Sequence, residues 1–158
     1  MRRLNRWGPA VLALGIACGA PRGGGEVVPV PQTVNASLEQ FLAAVKANDL
    51  RRMGQLWGTE SGPAAKSIDA DVLRRRLTII QRYLDHSGYR ILEGPLAVPA
   101  RSEIRTFRVE LQRANCNHVL PIDVIQTNSG GWLVYDVHLE SAGNPARRCP
   151  PPGAGTGP

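Results

Sequence analysis

The stretch Leu73-Arg74-Arg75-Arg76-Leu77-Thr78-Ile79-Ile80-Gln81-Arg82-Tyr83-Leu84-Asp85-His86-Ser87-Gly88 decides the fold. Leu73, Leu77, Ile80 and Leu84 recur at i, i+4, i+7 and i+11, one stripe of a helix, and Val72, Ile79 and Tyr83 widen it. Asp69 and Asp71 stand in the first turn, where the helix dipole favours acids, and His86-Ser87-Gly88 supplies a stop. The spacing predicts a helix from near Ser67 or Asp69 to about His86, with Arg74-Arg75-Arg76 as a solvated face. After Gly88 the period changes from 3.6 to 2. Strands are expected over 89–93 (continuing towards 98), 103–113, 118–127 and 132–140.

Within the second of these, Phe107, Val109 and Leu111 alternate with Arg108, Glu110 and Gln112, so one face is buried and one wet. Asn128-Ser129-Gly130-Gly131 reads as a tight hairpin turn. The fourth strand is apolar on both sides. Strict alternation puts Leu133, Tyr135, Val137 and Leu139 on one face, and Trp132, Val134, Asp136 and His138 on the other. Four large apolar residues on one face call for a cover, such as a second copy of the chain.

Upstream, Ser37-Leu38-Glu39-Gln40 has the form of a capping box. Leu38, Phe41, Leu42 and Val45 follow at helical spacing, and Asn48-Asp49 breaks the run. Asp49 can cap a short second helix with Leu50, Met53, Leu56 and Trp57, and 58–65 (GTESGPAA) reads as a loop. Three helices followed by an antiparallel sheet of about four strands make an α+β domain over residues 35–142.

The ends differ in character from this middle. Residues 1–9 are basic, and residues 10–17 (AVLALGIA) form an apolar run too short to span a bilayer but suited to a signal peptide. Cys18 follows Gly15-Ile16-Ala17, which resembles the lipobox of bacterial lipoproteins, although Gly15 stands where that family usually has Leu. The resemblance implies cleavage after residue 17, diacylation of Cys18 (a palmitate-type anchor) and, with Gly19 next, sorting to the periplasmic face of an outer membrane. Residues 18–34 are a Gly/Pro tether without periodicity. Residues 143–158 form a Pro/Gly tail, expected to be disordered and pinned by Cys149. In an exported protein the remaining pair, Cys116 and Cys149, is expected to form one disulfide.

Charge narrows the function classes. The chain carries 19 basic and 13 acidic residues, a net charge of +6, but Arg2, Arg3 and Arg6 belong to the signal segment. Without them the balance is +3, and no concentrated basic face points to nucleic acid. The three His (His86, His118, His138) show no metal-ligand spacing with the Cys, so no metal or cofactor is expected.

Two segments resemble the NTF2-like superfamily (SnoaL-like and ketosteroid-isomerase-like domains). Residues 41–51 (FLAAVKANDLR) are similar to its first-helix pattern, and Gly130-Gly131-Trp132-Leu133-Val134 to its last hairpin and strand. The resemblance implies a cone with a pocket between concave sheet and helices, here lined by Phe41, Val45, Trp57, Trp132, Val134, Asp136 and His138, and frequent dimerisation through the sheet. The fold implies no reaction. The leading expectation is therefore a non-catalytic envelope lipoprotein that binds a small apolar ligand or a protein partner. Two alternatives stay open: a pocket enzyme of isomerase, cyclase or hydrolase type using Asp136 and His138 as acid and base, with Asp123 and Tyr135 as weaker candidates, and a structural module that dimerises through the sheet.

Overall fold

The computed structural model describes residues 29–114 and 116–145. The expected signal peptide, the expected lipid attachment point Cys18, and Cys149 lie outside the described residues. The described chain is α+β: three helices, a four-stranded antiparallel sheet and a two-stranded one.

Helix α1 (Val34–Lys46) starts earlier than the capping box suggests. Thr33 is extended and its hydroxyl accepts from the Ala36 N–H at 3.2 Å, so Thr33 is the cap. Ser37 lies one turn inside the helix, fully buried, and its Oγ has no hydrogen-bond partner among the described residues. Asn48 at φ 53° breaks the helix, and Asp49 Oδ1 accepts from Arg52 N at 2.8 Å to cap α2 (Leu50–Leu56), as the sequence suggests. The expected loop holds a two-residue hairpin, β1 (Gly58–Thr59) with β2 (Gly62–Pro63), then a 3-10 turn over Ala64–Lys66. Gly58 is required there, because a Cβ would stand 2.2 Å from the Gly62 carbonyl oxygen. Asp69 caps α3 (Ala70–Leu84) through Oδ1, which accepts from Asp71 N and Val72 N.

The core stripe of α3 is narrower than the sequence implies: Leu73, Leu77, Ile80 and Leu84 are buried, whereas Ile79 is 55% exposed. The helix meets the rest along one flank, and Ile79 lies beyond it. Its C-terminus is held by Arg113, whose guanidinium donates to the carbonyls of Tyr83 and Asp85 and, at 2.9 Å, to that of Ala142. Those are orphan helix-end carbonyls and the start of the tail, tied by one side chain.

Strands β3 (Gly88–Val98), β4 (Arg101–Gln112), β5 (Asn117–Gln126) and β6 (Trp132–Val137) form a meander in that order. Phe107, Val109, Leu111, Leu120, Ile122, Val124, Val134 and Val137 bring the inner face against Leu38, Phe41, Leu42, Val45, Met53, Leu56 and the α3 stripe in one continuous core. Residues 30–33, assigned to the tether, already belong to the fold: Pro31 O accepts from Trp132 N at 2.8 Å, and Val30 packs on the outer sheet face.

Strict alternation fails in β6. Asp123 pairs with Asp136 and the next residue, Val124, pairs with Val134, so Tyr135 is an extra residue, a β-bulge. The bulge reverses the phase of everything after it. Val137 joins Val134 in the main core, and Leu139 packs there too. Leu133 sits on the outer face with Ile104 and Ile125, sealed by Val30, Val98 and Tyr135. The expected common face of Leu133, Tyr135, Val137 and Leu139 does not exist, nor does Asp136 share the face of Trp132 and Val134. The strand also ends early, with Leu139–Ser141 a 3-10 turn.

Candidate functional site

The bulge builds the site. Trp57, the last residue before β1, forms a parallel bridge with Val134, and its indole N–H donates to the Tyr135 carbonyl at 3.0 Å. That fastens the β1–β2 hairpin to the β6 edge exactly where the strand swells, so that an open groove of about 320 Å³ is left beside it. Trp57, Thr59, Ile68, Arg76, Tyr135 and Asp136 line it, together with glycines of the hairpin. Asp136 is exposed, and its Oδ1 accepts from the Val137 N–H at 2.8 Å.

Next to the groove, on the outer face, lies a chain of polar side chains. Thr106 Oγ1 donates to Asp123 Oδ1 at 2.6 Å. The other Asp123 oxygen is 3.2 Å from His138 Nε2, and His138 Nδ1 is 3.2 Å from Glu140 Oε1. Partial burial lowers the His138 pKa, but the hydrogen bond and charge of Asp123, with Asp136 and Glu140, outweigh it and leave it above 6.5. Carboxylates facing both nitrogens favour the imidazolium, which can donate to both. A general base needs a nitrogen free to take a proton. His138 and Asp136 are thus near one another, as the sequence suggests, but each is engaged in a contact that supports the sheet end.

The other residues expected in a pocket are placed differently. Phe41, Val45 and Val134 are fully buried members of the core, and they line neither of the two grooves described among these residues. Trp132 is half-buried against that core, with the Arg105 guanidinium 5.9 Å above its ring. A second groove, about 340 Å³ between α2 and α3, is lined by Leu50, Arg51, Leu73 and Arg74 and contains none of the expected site residues.

The remaining histidines have structural roles. His86 is buried, its Nδ1–H donating to the Leu84 carbonyl at 2.8 Å and its ring edge-on to Tyr89; Nε2 is without a partner among the described residues. Burial lowers its pKa from 6.5 and so favours the neutral ring. His118 Nε2 lies 3.2 Å from Cys116 Sγ, and burial, then Arg113, lowers its pKa. Cys116 is disulfide-bonded, and the expected partner, Cys149, lies outside the described residues. Gly143, at φ 70°, lies so close over His118 that a Cβ would stand 2.4 Å from the ring, which brings the tail beside Cys116.

Among the described residues no group of three or more His, Cys, Asp or Glu is placed to hold a metal ion, and no helix is long and apolar enough to cross a membrane. Sequence reasoning missed Ile68, Thr59 and Arg76 as groove residues. The signal that brings them to Asp136 is the pairing of Trp57 with β6, which no local pattern encodes. Comparison with protein-family models, with curated proteins and with solved structures yields no match.

Proposed function

We propose that the chain is a non-catalytic lipoprotein of a bacterial cell envelope, anchored through Cys18 at the periplasmic face of the outer membrane, whose NTF2-like domain binds a small ligand or partner in the Trp57–Asp136 groove. One observation carries the reading: the interior is filled by fully buried side chains such as Phe41, Phe107 and Leu77, while an indole, an isoleucine and two charged side chains converge on an open groove at the sheet edge. Binding sites combine an apolar wall with a few placed polar groups, and this groove does so. The engagement of both His138 nitrogens weighs against acid–base chemistry. Helices on one side of an antiparallel meander support the NTF2-like reading.

Two measurements test it. Native mass spectrometry of protein extracted from the envelope should find a small-molecule adduct that is lost in Trp57→Ala; an adduct retained in that variant would place binding elsewhere. Cys18→Ser should move the protein from the membrane to the soluble fraction and abolish labelling by a fatty-acid probe. Equal labelling with and without Cys18 would remove the anchor.

Association of two copies through the outer sheet face is a second reading, favoured by the exposure of Leu96 (46%) and Val119 (39%) there. Sedimentation at high micromolar concentration separates it: a monomer throughout removes it.

A further inference from the structure

The groove contains a cation and an anion that do not meet. Arg76 on α3 and Asp136 on β6 both line it and both are exposed, yet no ion pair joins them. Arg76 has no hydrogen-bond or ion-pair partner among the described residues. Asp136 uses one oxygen for the Val137 amide, and its side chain makes no ion pair among the described residues, although its charge acts on His138. Among the described residues some surface arginines are paired and others, such as Arg75 and Arg82, are not; among the groove's lining residues Arg76 is the arginine, and it is unpaired. Arg90 lies against Glu110, Arg101 against Glu103 and Arg108 against Glu93. Two opposite charges facing one space without neutralising each other leave room for a ligand that carries both.

The surroundings fix the polarity. The Asp136 end adjoins Asp123 and Glu140, three carboxylates against the one imidazole of His138, so a ligand anion is repelled there and a cation attracted. The Arg76 end is flanked on α3 by Arg75, which repels a cation and attracts an anion. Between them Trp57 and Ile68 give an apolar wall, and the volume, about 320 Å³, suits a short molecule. We propose that this groove takes a short peptide with free termini, its carboxylate on Arg76, its ammonium on Asp136 and an apolar side chain against Trp57 and Ile68. The proposal rests on the reading of the groove as the binding site and adds the class of ligand.

The test uses the full chain in detergent micelles and the Trp57 indole N–H resonance, assigned with Trp57→Phe. Leucyl-leucine is titrated beside two singly charged forms, N-acetyl-leucyl-leucine and leucyl-leucinamide. Leucyl-leucine should shift the resonance, and each capped form should bind up to about fivefold more weakly, the range of an exposed charge pair. Arg76→Gln should erase the difference between leucyl-leucine and its amide, and Asp136→Asn, which keeps the acceptor for Val137, the difference from the acetylated form. Equal binding of all three peptides would overturn the charge assignment and leave the groove as a binding site. No shift with any of them, in a protein whose spectrum is otherwise that of the folded chain, would overturn the peptide assignment, while an adduct lost in Trp57→Ala would still locate the binding site.

Discussion

The two faces of the β3–β6 sheet are built from the same strands and obey different rules. The inner face is a continuous apolar layer sealed by the helices. The outer face carries polar pairs: Arg90 with Glu110, Arg108 with Glu93, and Thr106 with Asp123 and His138. A buried apolar patch, Ile104, Ile125 and Leu133, and the exposed Leu96 and Val119 interrupt it. A histidine reports on each environment. His86, in the dry side of the fold, is pushed towards neutrality by burial; His138, among carboxylates, is held towards the charged form. The difference underlies the proposal that recognition sits at the edge where the faces exchange residues through the Tyr135 bulge.

The largest effect should come from the inner face. Phe107→Ala, at a fully buried position, should cost about 3–5 kcal/mol in denaturant unfolding. A loss under about 1 kcal/mol would mean the core is less tightly filled than described. Leu133→Ala, in the outer patch, should cost about 2 kcal/mol, the low end for buried leucine, because fewer side chains surround it. Equal losses at the two positions would erase the distinction between main core and patch.

The disulfide ranks next. A link from Cys116 to Cys149 closes 34 residues, for which chain entropy gives roughly 3–4 kcal/mol. Cys149 lies in the Pro/Gly tail that follows Ala142, so the expected cost of Cys116→Ser is about 1–2 kcal/mol. Non-reducing peptide mapping should recover the Cys116–Cys149 pair; a link from Cys116 to Cys18 would refute the pairing and, with it, the lipid anchor.

The smallest effects are the pH dependences, which should have opposite signs. His86 has its pKa depressed by burial, against which the Leu84 carbonyl and Asp85 act while Lys46 and Arg113 reinforce it. Its contribution is present above 6.5, the unfolded value, and is lost as pH falls below it. His138 has its pKa raised, by Asp123 first and then Asp136 and Glu140, against a burial that lowers it. Its contribution is present below 6.5 and is lost as pH rises through the folded value. Unfolding curves between about pH 5 and 8 should therefore show His86→Leu losing sensitivity on the acid side and His138→Gln on the basic side. The His138 effect should not exceed about 1 kcal/mol, since the pair is partly exposed. Flattening on the same side in both variants would contradict the two environments.

Much of this fold is legible in the sequence, because it rests on local periodicity. The stripe of α3, the Asp49 cap and the alternation through Phe107, Val109 and Leu111 need only neighbours within one element. The register of β6 is not legible, since Trp132 to Leu139 is apolar in both phases and a one-residue bulge changes every later side chain's face without leaving a pattern. The α1 cap is ambiguous for a similar reason: Thr33 and Ser37 are both competent, and burial of Ser37 decides. Arg113 escapes because its partners are backbone carbonyls, to which the sequence gives no charge to match. The groove is hidden most deeply, because it depends on Trp57 meeting a strand 77 residues later at Val134.

The central claim is that the space between helices and sheet is filled and recognition lies outside it. Xenon enters dry apolar cavities and shifts the methyl groups that line them. In a methyl-resolved NMR titration of the full chain with xenon, the methyls of Leu77, Val109 and Val134 should not move. Saturable shifts at those three would reveal an enclosed apolar chamber and contradict the account.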